Sequence, residues 1–331
     1  MEQVQQADNQ KREIVDMTGR KIIVPNKINS VFAASLYGYT MLTSIAPELI
    51  PATPFPPRNC DKKYLPDYLQ ELPMIDKITK TEEIAQIKPD VVLVWADKDK
   101  PYHKKSEIAL ESIGQTYAYV IIDNLGDVPD FAEAYEFLGR LLGKEARGAK
   151  LANYCREAVA EVSKAVSEVP EAQRPGVYYA EGNDGLMTEY DDSLHAHLLK
   201  LLGDVNLVRG HMTEHKGLEQ FSLQQIKELN PDIIIAWSRE FTQRVIDDPN
   251  WKRIKAVQNK KVYPIPNIPF NWVDRPPCFM RILGMKWLAN LLYPNNYQID
   301  IVKETQKFYS LFLNVSLTAE DTRKILYRAN H

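Results

Sequence analysis

One stretch of this chain is written twice. Thr81 opens TEEIAQIKPDVVLVWAD and Ser222 opens SLQQIKELNPDIIIAWSR; Ile84, Ile87, Pro89, Asp90 and Trp95 match Ile226, Leu229, Pro231, Asp232 and Trp237 at a constant offset of 142 residues. Each copy reads as a helix that stops before a Pro-Asp pair, followed by a short, wholly apolar strand, the pattern of a strand covered on both faces. Between the copies, residues 143–170 hold no internal proline and predict one continuous helix of roughly 25 residues, spanning roughly 40 Å. It stops at Pro170, because the run Glu-Ala-Gln-Arg-Pro-Gly that follows cannot continue it.

The remaining chain keeps the same alternation. REIVDMTGRKIIVP turns about Thr18-Gly19 and predicts a β-hairpin over 13–25. A buried strand is expected over 30–34, with a helix opening at Tyr37-Gly38-Tyr39, whereas PATPFPP carries four prolines in seven residues and makes an irregular loop. Further strands are expected over 117–122, 176–180 and 261–265, with helices from Pro129, behind Ser193 and over 280–292, 308–313 and 319–327. Strands alternating with helices imply mostly parallel sheets covered on both faces, and 331 residues suffice for two cores. The expected fold class is α/β: two Rossmann-like lobes, 1–142 and 171–331, joined by the rigid helix 143–170, with a ligand cleft between the lobes.

Several function classes drop out. The 41 basic and 44 acidic side chains give a formal charge of −3, so no global field recruits nucleic acid. No apolar run is long enough for a spanning helix. The start, MEQVQQADNQKRE, is polar and lacks the apolar core of a signal peptide, which leaves a cytoplasmic chain or one that begins behind a removed export signal. Cys60, Cys155 and Cys278 are scattered and form no Cys-x-x-Cys pair, against a zinc knuckle, an iron–sulfur cluster or a disulfide framework. With 14 glycines and no G-x-G-x-x-G, P-loop, G-x-S-x-G or H-E-x-x-H motif, the chain advertises neither catalysis nor an intrinsic cofactor.

Aromatic and charged groups at the predicted strand ends are what remains. Ligands of open α/β sheets bind beyond the carboxyl ends of strands, and there the chain places Tyr37 after the first strand, Trp95 and Trp237 at the ends of the two repeats, and Arg239 two residues beyond Trp237. The loop NIPFNWVDRPPCF adds Trp272 and Arg275, with Arg275 followed by Pro276 and Pro277. Aromatic faces suit a planar or chelated ligand and arginine forks suit carboxylates or other oxyanions; the alternative readings are core packing for the tryptophans and an internal pair with Asp274 for Arg275. Of six histidines, His103 follows the first Trp strand and is the first metal candidate, with His195 the second; His195 and His197 are two apart and cannot chelate together on a helix.

At the repeat, and still more at Trp-Val-Asp-Arg-Pro-Pro, the chain resembles the bacterial substrate-binding proteins of ABC importers that carry metal chelates. VDMTGRKIIVP resembles their N-terminal hairpin, IAQIKPDVVLVW and IKELNPDIIIAW their Pro-Asp strands, and NWVDRPPCFMRILGMKWLANLLYP is the most specific block. The resemblance implies a non-enzymatic, monomeric receptor in the periplasm or lipid-anchored outside the cell, capturing an iron or nickel chelate for a membrane permease and its ATPase. Molybdate, corrinoid or haem are alternative cargoes within the same family, and a metal-cluster oxidoreductase subunit on the same two-lobed plan is the rival from another class, disfavoured by the scattered cysteines. It further implies one acidic docking residue per lobe, on the helix before each Pro-Asp strand. Glu82 fits in lobe one; lobe two has Gln224 at that position, leaving Glu219 or Glu228 as substitutes.

Overall fold

A computed structural model describes residues 10–55, 62–96, 104–114, 116–123, 128–211 and 217–327. The chain divides into two compact units, Met1–Glu157 with Lys307–Leu317, and Ala158–Gln306 with Thr318–His331. Both are α/β, as the alternation implied.

In the first unit, strands β1 (Lys11–Val15) and β2 (Lys21–Pro25) form the antiparallel hairpin. β3 (Val31–Ala33), β4 (Val91–Ala96) and β5 (Ala118–Asp123) form a parallel sheet in the order β3-β4-β5. Helices α1 (Leu36–Ile45), α2 (Thr81–Ile87), α3 (Lys104–Gly114) and α4 (Phe131–Leu142) connect or follow its strands. Phe32, Val92 and Val94 are buried in one core cluster with Ile84 of α2. Asp16 anchors the hairpin: one carboxylate oxygen accepts from Thr18 and the Arg20 backbone, the other from the Arg20 guanidinium and the amide of Ile121 on β5.

The long helix α5 runs Glu145–Ser167, and the division between the units falls inside it rather than at its ends. Its Tyr154 packs edge-on against Phe308 and Phe312, and those aromatics place 307–317 in the first unit. The sequence reading assigned 171–331 to one lobe; aromatic packing across some 150 residues of chain leaves no local signal for such a return.

The second unit holds β6 (Val177–Ala180), the two-residue strands β7 (Met187–Thr188) and β8 (Glu219–Gln220), β9 (Ile233–Ala236) and β10 (Val262–Pro264). β10, β9 and β6 make a parallel sheet in that order, with β6 and β9 buried along their whole length. The unit's α-helices among the described residues are α6 (His197–Leu201), α7 (Leu223–Leu229), α8 (Arg239–Val245), α9 (Lys255–Gln258), α10 (Met280–Leu292) and α12 (Ala319–Tyr327), and α11 (Ile301–Phe312) is shared with the first unit.

The written repeat is a structural device. Lys88 and Asn230 close α2 and α7 in the left-handed conformation, at φ 46° and 44°, so each helix ends on one residue and the Pro-Asp pair turns the chain into the sheet. Asp90 then accepts from the amides of Asn29 and Ser30 at the start of β3, and Asp232 from the amide of Gly176 at the start of β6. Each aspartate thereby satisfies amides of the residues leading into the neighbouring parallel strand.

Candidate functional site

Trp237 and Arg239 sit where open α/β sheets accept ligands, beyond the carboxyl end of a central strand. β9 ends at Ala236 and Trp237 follows, with 42 % of its surface exposed. Ser238 caps α8 by accepting from the Phe241 amide at 3.2 Å, which makes Arg239 the first helical residue. The chain leaving β10 runs beside them, and Trp237, Arg239, Glu240, Asn267 and Ile268 line a recess of about 160 Å³, with Ile325 and Leu326 of α12 as its apolar side. An indole face, a guanidinium and an apolar wall form a surface for an anionic group attached to, or carried by, an organic plane.

The Asn-Trp-Val-Asp-Arg-Pro-Pro loop does a different job from the one its residue types suggested. Asn271 folds the loop on itself, its side-chain oxygen accepting from the amides of Val273 and Asp274. Trp272 is fully buried and packs edge-on against Trp287 of α10; it is core, not a ligand face. Arg281 of α10, also fully buried, donates to the carbonyls of Val273 and Leu194 at 2.7 Å each. Arg275 already has partners within the chain. Its Nε donates to Glu181 at 2.9 Å and its Nη2 to Glu189 at 2.5 Å, so its fork is spent on two fully buried carboxylates, with Asp274 more distant at 3.5 Å. Asp274 was the internal partner weighed as the alternative reading; the nearer partners lie far away in sequence.

Those two glutamates, missed in the sequence, are the centre of a buried ionic network. Glu181 follows β6 at its carboxyl end, and Glu189 also accepts from Ser193 and from the Leu218 amide. Burial drives the Glu181 carboxyl up to about 8, against the opposing pull of Arg275, with Glu189 and Asp274 adding to the rise. A Cβ on Gly217, whose φ is +60°, would run into the Glu189 carboxylate, so only glycine permits that approach. The one signal in the sequence was a glutamate directly after the apolar run VYYA, where an unpaired charge is costly to bury.

The other candidates fall variously. His195 lies in a 3₁₀ turn, Leu194–Ala196, rather than an α-helix, and its Nδ1 is 2.8 Å from the buried Asp274 carboxylate; one ring nitrogen of the second metal candidate is thus committed. His197 is held down to about 4 by burial, then by Arg281 and Lys200, and is neutral at physiological pH. Among the described residues, no three His, Cys, Asp or Glu side chains gather as a metal site. His103 and Cys60 lie outside the described residues. Tyr37 is half-buried in the first turn of α1, and Trp95 stands in β4 in register with Ile122. Cys155 and Cys278 are buried free thiols, and burial pushes Cys278 up to about 12. Glu82 is exposed in the first turn of α2. Glu219 is not on the matching helix: it is half-buried in β8, while the α7 face carries Gln224 donating to Glu228 at 2.9 Å.

Comparison with known proteins agrees with this plan. A family model described as periplasmic binding protein matches residues 57–269. An ABC transporter solute binding protein from Sulfurospirillum deleyianum is 34 % identical, covering 96 % of this chain and 99 % of its own, with a TM-score of 0.88. The molybdate-binding protein MolA of Haemophilus influenzae is 22 % identical across 95 % of this chain and 94 % of its own length. The Fe(3+)-citrate-binding protein YfmC of Bacillus subtilis is 24 % identical over 55 % of each chain.

Proposed function

Because this chain belongs to the periplasmic binding protein family, whose model spans residues 57–269, we propose that it captures a carboxylate-bearing metal chelate outside the cytoplasm and delivers it to an ABC permease. The family consists of solute-binding proteins, not enzymes, and the relatives are substrate-binding components of ABC transporters. No helix among the described residues is long and apolar enough to cross a membrane.

The observation that carries the chelate reading is the exposed Trp237 beside Arg239 at the β9 exit. A bare tetrahedral oxyanion gains little from an indole face, whereas an iron or nickel chelate offers carboxylates to the arginine and carbon surface to the ring. Likeness to an iron-citrate receptor supports the same class. Molybdate is the second reading, favoured by likeness to a molybdate receptor along almost the full chain.

Titration followed by tryptophan fluorescence, with ferric citrate, a ferric catecholate, nickel plus histidine, haem, cobalamin and sodium molybdate, tests both readings. Arg239→Ala is expected to weaken the bound chelate by about 10- to 100-fold, the range of one charge-assisted hydrogen bond. Trp237→Ala should weaken a chelate and leave molybdate unchanged. Saturation by molybdate alone, indifferent to Trp237→Ala, would replace the chelate reading with the oxyanion one.

A further inference from the structure

The recess carries a charge of each sign on consecutive residues. Glu240 lines it together with Arg239 and is the second residue of α8, exposed at its surface. The hydroxyl of Ser238, itself buried, is engaged on both sides: it accepts from the Phe241 amide at 3.2 Å and donates to Glu240 Oε2 at 3.1 Å. That donated hydrogen bond tethers the carboxylate beside the start of α8, next to the arginine, instead of leaving it to swing through solvent.

A carboxylate in such a place discriminates between solutes. It repels one that offers only acceptor oxygens, and it favours one that brings an N–H donor beside its own carboxylate. We propose that Glu240 is a specificity-determining residue of the recess, selecting metal chelates of amino acids over anions that carry no N–H. In such a chelate the carboxylate oxygen and the amine nitrogen of one amino acid bind the metal side by side. An acceptor and a donor therefore lie together on one edge, and the metal draws electron density from the amine and strengthens its N–H groups as donors. Arg239 meets the carboxylate and Glu240 the amine. Molybdate offers acceptors alone, and ferric citrate has no N–H. The assignment rests on reading the Trp237–Arg239 recess as the binding site.

An acid in the first turn also complements the amide end of its own helix, and that duty competes with the specificity role. Two observations weigh against it as the whole account. Ser238 already caps α8 through the Phe241 amide, and an acid that served only the helix end has no need to line the recess. The repeat adds that no scaffold duty common to both copies calls for an acid here: at the 142-residue offset, Asp97-Lys98 in the first copy stands where Arg239-Glu240 stands in the second, with both signs exchanged.

Fluorescence titration of the intact protein with nickel plus histidine, nickel ion alone, ferric citrate and sodium molybdate separates the roles. Wild type should bind nickel plus histidine more tightly than the other three probes. Glu240→Gln keeps the size and loses the charge; it is expected to weaken nickel plus histidine about tenfold and to tighten molybdate about threefold, the scale of one exposed like-charge contact removed. Glu240→Asp keeps an acid in the first turn but withdraws it by one methylene, so it should also weaken nickel plus histidine, whereas a helix-end duty predicts wild-type affinity. Shifts of both probes in one direction, wild-type affinity in Glu240→Asp, or a wild type that prefers nickel ion alone, ferric citrate or molybdate each overturns the selection. Unchanged binding of every probe in Arg239→Ala overturns the recess reading instead.

Discussion

Gly284 is expected to be among the least replaceable residues of the second unit. It lies in α10 where the backbone of Trp272 rests on the helix. A Cβ at 284 would overlap the carbonyl oxygen of Trp272 and lie 2.7 Å from its carbonyl carbon and 3.3 Å from its Cβ. Bringing the carbonyl carbon alone from 2.7 Å to an ordinary contact of 3.4 Å parts helix and loop by about 0.7 Å. The hydrogen bond from Arg281 Nε to Val273, now 2.7 Å, then stretches to about 3.4 Å, near the limit of a useful bond. Overpacking costs about 1–3 kcal/mol, and a weakened charge-assisted bond adds to it, so Gly284→Ala should destabilise by about 2–5 kcal/mol. Urea unfolding followed by circular dichroism measures it, with Gly143→Ala as reference. At Gly143 φ is +64° and no atom lies within 4 Å of an added Cβ, so that variant pays only for backbone strain, about 1 kcal/mol. The packing argument is refuted if Gly284→Ala proves no more destabilising than Gly143→Ala.

Two shorter predictions follow from the first unit. Burial raises the Asp16 carboxyl, but bonds from Arg20, Thr18 and Ile121 outweigh it and leave it below 3.8; its contribution is present at neutral pH and lost as pH falls through that lowered value. Asp16→Asn should therefore cost about 1–3 kcal/mol near neutrality and flatten the acid limb, and identical limbs for the two proteins would refute the role. Glu82→Arg, on an exposed first turn, should leave fluorescence titrations unchanged while stopping uptake in cells, because an acidic surface residue steers and registers a basic partner; normal uptake would make Glu82 an ordinary solvated side chain.

The fold was legible because its signals are local. A helix end, a Pro-Asp turn and an apolar strand each occupy under ten residues, and the long helix declares itself by lacking proline. The charged loop was not legible, because arginine looks the same in sequence whether it awaits an anion or already holds one. Glu181 and Glu189 stand 94 and 86 residues from Arg275, and nothing within the loop names them. Trp272 misled for a related reason: it is buried against Trp287 and beside Gly284, both on α10, and nothing within the loop itself names those partners.

The repeat itself shows where to look for function in such a chain. Several positions equivalent at the 142-residue offset are scaffold: Asp90 and Asp232 pin the neighbouring strand, Ile84 and Ile226 are fully buried, and Lys88 and Asn230, though different residues, share one helix-ending conformation. Positions that differ in character are released from that duty. Glu82 is replaced by Gln224, so an acidic first turn occurs in one copy only, and Asp97 is replaced by Arg239 two residues past the shared tryptophan. A change of charge sign beyond the same strand end serves no common structural need, since the strand is already complete at Ala236. That reversal puts a guanidinium at the recess, and under the proposed function it is the feature expected to distinguish the two copies toward an anionic solute.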